Sequence, residues 1–223
     1  MDTNSVESID SIDSAICAIA AGRMVVVVDD EDRENEGDLI MAAEKATDAD
    51  VAFMVRYTSG VLCVSLPADR LDDLALPLMV LSSGDSMGTA FTVSTDFRIG
   101  TTTGISAADR AVTVRALVDE SAQASDFARP GHVFPLRAVQ GGVLRRPGHT
   151  EAGLDLTRLA GLTPGALLAE VVNDDGTMAR LPQLIDFARK HSLPVVTIKA
   201  LVEYRRRRDH AVDSRLEATT SAK

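Results

Sequence analysis

The chain has no tryptophan and few aromatic side chains or cysteines. Aromatic residues make up 4% of the 223 residues, which leaves too few rings for a surface that stacks nucleic-acid bases. The two cysteines, Cys17 and Cys63, have neither the paired spacing of a metal site nor enough partners for a disulfide framework. Cys17 fits the apolar face of a helix and Cys63 the middle of a strand, so both are interpreted as packing residues, with a reactive thiol at Cys63 as the less favoured alternative.

Long hydrophobic runs are also absent. The longest, such as Val25–Val28 and Val61–Val64, are far shorter than the roughly 20 residues of a transmembrane helix. The N-terminus is acidic from Asp2 to Asp13, whereas a signal or transit peptide begins with positive charge. We therefore expect a soluble, cytoplasmic protein without a membrane partner. With 45% hydrophobic residues, a chain of this length can bury a sizeable core.

The net negative charge is confined to the first fifty residues of the chain. Residues 1–50 hold 14 acidic and 3 basic residues, whereas the other 173 hold 19 and 20, so the first fifty residues account for the net charge of −10. Such a surface repels phosphates, and we expect no nucleic-acid partner. The single basic run, Arg205–Arg208, is interpreted as the solvated end of the last helix.

Hydrophobic periodicity and capping residues predict alternating helices and strands. Ser106 and Asp109 have the spacing of a capping box. Helices are predicted at Val6–Arg23, from Thr47 or Asp48 to Tyr57, at Ser106–Val118, Thr150–Leu159 and Pro182–His191. Strands are predicted at Met24–Val28, Val61–Leu66, Ala90–Ser94, His132–Leu136, Ala166–Val172 and Pro194–Ile198, with a turn at Asn173–Gly176 and an extended piece at Thr177–Ala179.

No repeat and no linker rich in Pro, Gly or Ser divides the chain. We therefore expect one α/β domain over residues 1–223, with a core of about residues 8–205. The first few residues and a tail of about 207–223 are expected to be flexible.

The segment Asp29–Asp38 concentrates carboxylates at the end of a predicted strand, where α/β proteins place their chemistry. Carboxylates this close repel one another unless water, arginine or a divalent cation neutralises them, and Mg²⁺ prefers a few carboxylates plus water and substrate oxygens. A solvated loop is the simpler alternative. Asn35 and Gly37, interleaved with Glu34, Glu36 and Asp38, favour a cation site, since glycine permits a tight backbone that turns side chains inward.

The segment Arg145–Thr150 precedes a predicted helix. Pro147 and Gly148 bend the chain there, and a helix N-terminus beside an arginine such as Arg146 is a natural phosphate site. His149 could complete a metal shell as a neutral imidazole, or the segment could be only a capped helix start.

Two further candidates lie near strands. His132 stands at the mouth of a predicted strand, where a histidine is more often structural than catalytic, and Glu170 lies in an apolar strand, where a carboxylate must be paired or protonated. The chain has four lysines, and none lies in these candidate motifs. Enolate chemistry on a sugar phosphate would therefore use a divalent metal rather than a Schiff-base lysine.

Five motifs together closely resemble the 3,4-dihydroxy-2-butanone 4-phosphate synthases of riboflavin biosynthesis. The motifs are Asp29–Asp38, Gly100–Arg110, Arg129–Arg137, Gly148–Ala152 and Asn173–Arg180. The resemblance covers about residues 8–205, and five long motifs in the right order make chance agreement very unlikely. The family's fold implies a single three-layer α/β domain with a mixed sheet.

The resemblance implies a lyase that converts D-ribulose 5-phosphate to L-3,4-dihydroxy-2-butanone 4-phosphate and formate. It implies Mg²⁺ or Mn²⁺, with two ions expected per site, and a homodimer with active sites near the subunit interface. Glu34 and His149 match the metal ligands. The substrate-binding set implied by position is Arg33, Glu34, Asp38, Arg146, Pro147, Gly148, His149, Thr150 and Glu170. The catalytic set is His132, Glu170, Glu36 and Asp38.

Chemistry gives these groups roles in a metal-stabilised enediolate mechanism: a carboxylate or imidazole removes the C3 proton, and Arg146 with the helix start holds the phosphate.

Relatives often have an aromatic residue or histidine in the loop Ser83–Gly88, where this chain has Met87. The chain also lacks the zinc cysteines of fused GTP cyclohydrolase II domains, so a monofunctional enzyme is expected. The alternatives are a metal-dependent sugar-phosphate isomerase or aldolase, and an inactive binding module of the same fold.

Overall fold

The computed structural model describes residues 9–82, 84 and 86–220, with side chains placed as far as residue 210. The strands are β1 (Val25–Val28), β2 (Gly37–Ala42), β3 (Cys63–Leu66), β4 (Thr95–Phe97), β5 (Phe127–Arg137), β6 (Ala166–Glu170) and β7 (Val195–Thr197). The α-helices are α1 (Ile12–Ala20), α2 (Asp48–Tyr57), α3 (Ala68–Asp73), α4 (Ala107–Val118), α5 (His149–Leu159), α6 (Leu181–His191) and α7 (Ile198–Thr220).

The strands of the described residues form one mixed sheet in the order β4-β5-β3-β6-β2-β1-β7. Strand β1 pairs antiparallel with β2 and parallel with β7, while β2 pairs antiparallel with β6. Because β1 and β2 are buried on both faces, they consist almost entirely of apolar residues. The register of β2 and β6 sets Asp38 directly opposite Glu170 at one end of the pair.

Two apolar cores lie on opposite faces of this sheet. Side chains of α2, α4 and α6, such as Met54, Leu117 and Leu184, pack on one face. On the other face, α1 and α5 pack side chains such as Ile19 and Leu156. Each fully buried aliphatic side chain contributes about 1.5–3 kcal/mol to folding. The predicted three-layer α/β fold with a mixed sheet is therefore confirmed.

Most element predictions are confirmed within a few residues, and capping accounts for the boundaries. Thr47 forms a capping box with Asp50 at the start of α2. Ser106 caps α4 by accepting the Asp109 N–H, but the Asp109 carboxylate binds elsewhere, so the predicted capping box is only half formed. Helix α1 begins after Ser11, which caps it, so the predicted start at Val6 was too early, and Val6 itself lies outside the described residues.

Other elements differ from the prediction. Strand β2 and helix α3 were not predicted, and β2 begins at Gly37 within the segment interpreted as a loop. The predicted strand Ala90–Ser94 contains only isolated bridges at Phe91 and Thr92, and the regular strand β4 follows it.

The C-terminal helix also differs. Arg205–Arg208 lies inside α7 and not at its end, because α7 continues to Thr220. The flexibility expected of both chain ends stays a prediction, since residues 1–8 and 221–223 are outside the described residues. Within the described part of the chain, no helix is both long and apolar enough to cross a membrane.

Candidate active site

A hairpin loop joins β1 to β2, and Asp29 organises it. The Asp29 carboxylate is buried and accepts the backbone N–H groups of Glu34 and Glu36 at 3.0 and 2.8 Å, together with the Arg33 guanidinium at 3.0 Å. Asn35 has the left-handed φ of 55° that the turn requires. The role expected of Gly37 was wrong, because Gly37 instead gives the Leu184 side chain room to pack against β2.

His149 is the first residue of α5, and its imidazole is buried. Its Nε2 lies 3.1 Å from the carbonyl oxygen of Val27. A carbonyl can only accept, so Nε2 carries a proton and Nδ1 is the atom that faces the carboxylates. Nδ1 lies 3.4 Å from Glu34 Oε2 and 3.8 Å from Asp38 Oδ1.

The pKa values of these groups follow from burial and mutual interaction. Burial lowers the pKa of His149, but the surrounding carboxylates, above all Asp38, outweigh it and raise that pKa to about 9. Burial raises the pKa of Asp38 to about 7, against the opposing charge of His149. The hydrogen bond with His149 lowers the pKa of Glu34, and burial raises that of Glu36. The cluster therefore contains groups that can hold or release a proton near neutral pH.

The donor set of this cluster fits a divalent cation. One ligand atom each from Asp29, Glu34 and His149 lies within 4.8 Å of the others. The Asp29 oxygens already accept three hydrogen bonds, whereas Glu34 Oε2 accepts one, from Arg33 Nη1 at 2.8 Å, so Glu34 Oε2 and His149 Nδ1 are the less committed pair. Asp38 Oδ1 is buried without a hydrogen-bond partner among the described residues, as expected of an oxygen that faces a cation or its water shell. Two protein ligands leave the remaining positions of an octahedral ion to water and substrate.

Two arginines converge on the start of α5. Arg146 donates through Nη1 to the buried Glu151 carboxylate at 2.6 Å, and through Nη2 to Met87 O and Thr89 Oγ1 at 3.0 and 3.2 Å. A Cβ on Gly148 would clash with the Arg146 guanidinium and come within 3.1 Å of Arg33 Nη2. Glycine at the N-cap therefore allows both cations to approach the unpaired N–H groups of the helix.

A pocket extends from the cluster of Glu34, Asp38 and His149 to Arg33 and Arg146. Its lining consists of Arg33, Glu34, Asp38, Cys63, Thr89, Phe91, Leu136, Arg146, His149, Thr150, Leu168, Ala169 and Glu170. The structure thus brings together seven of the residues predicted from the sequence: Arg33, Glu34, Asp38, Arg146, His149, Thr150 and Glu170. Glu36, Pro147 and Gly148 lie beside the lining and do not form part of it.

His132 lies in a different cluster and does not line this pocket. Its Nδ1 is 2.7 Å from Asp96 Oδ2, and its backbone N–H donates to Asp96 Oδ1 at 2.8 Å. Gly104 leaves room for this pair, since a Cβ there would clash with Asp96. Asp109 fixes the Gly104 loop by accepting N–H groups from Thr102 and Gly104. Within one chain, the predicted catalytic set is therefore divided between two clusters.

Sequence reasoning missed several residues around the pocket. Arg180 donates to the backbone carbonyls of Glu34 and Asn35 and lies 3.9 Å from Glu36 Oε1, so it fastens the acidic loop to the start of α6. Ser59 donates to Glu170 Oε2 at 2.6 Å. Arg180 ends one of the five motifs and could have been found there, whereas Ser59 lies in none of them.

The fold and the pocket define the chain as an α/β enzyme with a strongly charged site. A sequence model of the family described as 3,4-dihydroxy-2-butanone 4-phosphate synthase matches residues 13–204, and the chain belongs to this family. A 3,4-dihydroxy-2-butanone 4-phosphate synthase of Agrobacterium fabrum is 61% identical over 197 residues, which cover 88% of this chain and 92% of that protein.

Longer relatives and solved structures agree with this assignment. The riboflavin biosynthesis protein RibBA of Salinispora arenicola is 60% identical over 93% of this chain, which spans about half of that protein. A crystal structure of 3,4-dihydroxy-2-butanone 4-phosphate synthase in complex with two magnesium ions has a TM-score of 0.86 at 47% identity, covering 89% of this chain and 97% of that one. The crystal structure of the Candida albicans synthase has a TM-score of 0.82 at 49% identity, covering 88% of this chain and 97% of that one.

Proposed function

We propose that the protein converts D-ribulose 5-phosphate to L-3,4-dihydroxy-2-butanone 4-phosphate and formate, with Mg²⁺ or Mn²⁺, and so supplies the four-carbon unit of riboflavin. The observation that carries this proposal is the buried cluster of Glu34, Asp38 and His149 beside an arginine-lined pocket, in a chain of the synthase family. The cytoplasmic location expected from the sequence is part of the proposal. Substrate and products contain the same atoms, so the reaction needs no external oxidant or reductant.

The arginine end of the pocket is the proposed phosphate site. Arg146 and Arg33 supply positive charge, and the Thr150 N–H and hydroxyl lie at the helix start. The Arg146 guanidinium is already fixed by Glu151, so it is oriented before substrate arrives. In this proposal the positive charge of the two arginines offsets the neighbouring carboxylates, which would otherwise repel the phosphate.

The carboxylate end of the pocket is the proposed site of proton transfer. A cation on Glu34 and His149 would withdraw electron density from substrate oxygens and lower the cost of removing the C3 proton. Two ions per site are supported by the related structure described with two magnesium ions. Asp38 and Glu170 face each other across the β2–β6 pair and line the pocket, which supports both carboxylates as proton-transfer groups. Glu36, beside them, adds negative charge that favours protonation of its neighbours.

Loss of the C1 hydroxyl as water, migration of a carbon, addition of a water and release of C4 as formate require several proton transfers in one enclosed site. Asp38 is supported as one of the groups that act repeatedly because it lines the pocket, is buried, and has an oxygen without a hydrogen-bond partner among the described residues.

We place His132 in the active site of a homodimer. Its side chain is 42% exposed and hydrogen-bonded to Asp96, outside the pocket of its own chain. In the segment between β4 and α4, which follows Asp96, Ile99 and Ile105 are exposed apolar residues, at 63% and 52%, which suits a surface covered by a second copy. In this arrangement His132 reaches the pocket of the partner.

Complementation between inactive variants tests the shared site. His132→Ala and Glu34→Gln are each expected to be inactive, but a mixed dimer has one site that carries neither substitution. Exchange of subunits should restore up to about a quarter of wild-type activity. No recovery in a mixture shown by sedimentation to contain exchanged dimers would contradict the shared site.

Formate release tests the proposed reaction. Purified protein, first stripped of metal, is incubated with D-ribulose 5-phosphate and assayed with formate dehydrogenase. We expect formate only after Mg²⁺ or Mn²⁺ is added, and none in excess EDTA. Formation of an isomer or a cleavage product without formate would favour an isomerase or aldolase, and absence of any product would favour an inactive binding module.

A further inference from the structure

Ser59 lies between α2 and β3 and is fastened to the end of β6 by its backbone. Its N–H donates to the carbonyl oxygen of Glu170 at 2.8 Å. The preceding residue, Thr58, forms an antiparallel bridge with Val171. The position of Ser59 relative to Glu170 is therefore fixed by main-chain pairing on both sides, independently of either side chain.

The direction of the Ser59 hydroxyl proton follows from its partners. The hydroxyl oxygen accepts the backbone N–H of Val61 at 3.2 Å and lies 2.6 Å from Glu170 Oε2. A serine hydroxyl has one proton to donate, and the N–H of Val61 cannot accept it. The proton therefore points to Glu170 Oε2, a hydrogen bond that is short and charge-assisted when the carboxylate is ionised.

We infer that Ser59 is a positioning residue for Glu170. By binding Oε2, the hydroxyl restricts the rotation of the carboxylate and leaves Oε1 as the oxygen for proton transfer. Glu170 lines the pocket, whereas Ser59 does not, so Ser59 acts through Glu170 and not on the substrate. This inference rests on the proposed function, because it assigns Ser59 to the reaction for which Glu170 is proposed.

Steady-state kinetics of formate release test the role of Ser59. Ser59 is exposed, so Ser59→Ala removes a hydroxyl without opening a cavity in the core. We expect Ser59→Ala to lower kcat about tenfold, as is usual for removal of an orienting hydrogen bond, with KM for D-ribulose 5-phosphate within about twofold of wild type. Ser59→Thr, which retains the hydroxyl, should restore kcat.

Ser121→Ala is the matched control. Ser121 is also exposed and also donates to a carboxylate, Asp119, at 2.7 Å, but neither residue lines the pocket. The control should leave kcat and KM unchanged, and all variants should keep the melting temperature of the wild type.

The outcomes separate this inference from the proposed function. Wild-type protein that releases no formate contradicts the proposed function itself. If wild type is active, a wild-type kcat in Ser59→Ala overturns the positioning role alone. A melting temperature that falls together with kcat, or failure of Ser59→Thr to recover activity, would equally overturn it, because both would show a purely structural role.

Discussion

At the scale of single residues, the chemistry of His149 depends on three neighbours: Val27, Glu34 and Asp38. The Val27 carbonyl fixes Nε2 as a donor, so Nδ1 is directed to Glu34 and Asp38. This arrangement is the usual one for a metal-binding histidine, whose second nitrogen is held by a carbonyl or carboxylate. The same carboxylates raise the pKa of the imidazole to about 9 when no cation competes for Nδ1.

The first prediction concerns the ligand pair. His149→Ala and Glu34→Gln should each lower formate release at least about 100-fold and weaken Mg²⁺ binding measured by calorimetry, because each removes a ligand atom. Glu31→Gln is the control, since Glu31 is exposed in the same loop and changes the charge equally. Near-native rates in either ligand variant would refute the assignment of that residue.

The second prediction concerns Cys63. Burial raises the pKa of the Cys63 thiol well above its ordinary value, so the group is a neutral thiol in the wall of the pocket. Cys63→Ser should keep kcat within a few-fold of wild type. Cys17 is exposed, so its interpretation as a packing residue was wrong, and in the folded protein a thiol reagent should label it before Cys63. A Cys63→Ser variant without activity would show that this thiol takes part in the reaction.

Functional residues can be predicted from the sequence where acidic, basic and histidine side chains occur close together in one motif. Glu34, Arg146 and His149 could be predicted because carboxylates, an arginine and a histidine stand at element ends in dense motifs. Ser59 and Thr89 could not, since a lone hydroxyl has no pattern and its role depends on the residue that the fold sets opposite. The separation of His132 from the pocket is likewise a consequence of tertiary structure.

At the scale of elements, the β1–β2 hairpin and the start of α6 form one unit. Arg180 donates to the carbonyls of Glu34 and Asn35, so the acidic loop is held from outside as well as by Asp29 within. Glu34 is part of this loop, so the position of its carboxylate depends on Arg180, which lies more than a hundred positions away in the sequence.

The third prediction tests that dependence. Arg180→Ala should release the loop and weaken Mg²⁺ binding about tenfold, because Glu34 is then no longer held near His149. Arg189→Ala, on α6 and in an ion pair with the exposed Asp186, should bind Mg²⁺ like wild type. Equal affinities in the two variants, measured by calorimetry, would show that Asp29 alone organises the loop.

Elements with a clear cap and a long apolar period were predictable, as α2 and α4 show. Strand β2 was missed because Gly37 and Asp38 at its start have the composition of a turn, although both are buried. The strand predicted at Ala90–Ser94 was wrong because this apolar run forms only isolated bridges, and the regular strand β4 begins after it. Local composition does not show which of two adjacent segments will find a partner strand.

At the scale of the whole molecule, the last helix is tied to the layer that carries His149. Arg205 on α7 forms an ion pair of 2.5 Å with Asp155 on α5, whose side chain is fully buried. The basic run was interpreted as a solvated helix end, but its first residue completes a buried pair. The other Asp155 oxygen accepts the N–H of Val143, just before the arginine segment of the site.

The fourth prediction concerns stability and its pH dependence. Arg205→Met should lower the free energy of unfolding by about 3 kcal/mol at pH 8, since it leaves a buried carboxylate unpaired. Burial already raises the pKa of Asp155 above its ordinary 3.8, and loss of Arg205 raises it further. A carboxyl whose folded-state pKa is raised contributes stability below its unfolded pKa and loses it as pH rises. The defect of the variant should therefore shrink as the pH is lowered from 8 to 5.

Urea unfolding of Arg205→Met and wild type at both pH values measures this difference. Arg206→Met, the exposed neighbour on α7, is the control and should unfold like wild type. A defect in Arg205→Met that is constant between pH 5 and 8 would contradict a change in the protonation of Asp155 on loss of Arg205.

The central claim is that the site excises one carbon of a sugar phosphate as formate. Its most direct test is turnover of D-ribulose 5-phosphate labelled with ¹³C at C4, followed by ¹³C NMR in the presence of Mg²⁺. The account predicts that the label appears in formate, in amounts equal to the four-carbon phosphate formed and with no label in that product. Label retained in the phosphorylated product, or an isomerised five-carbon sugar without formate, would contradict it.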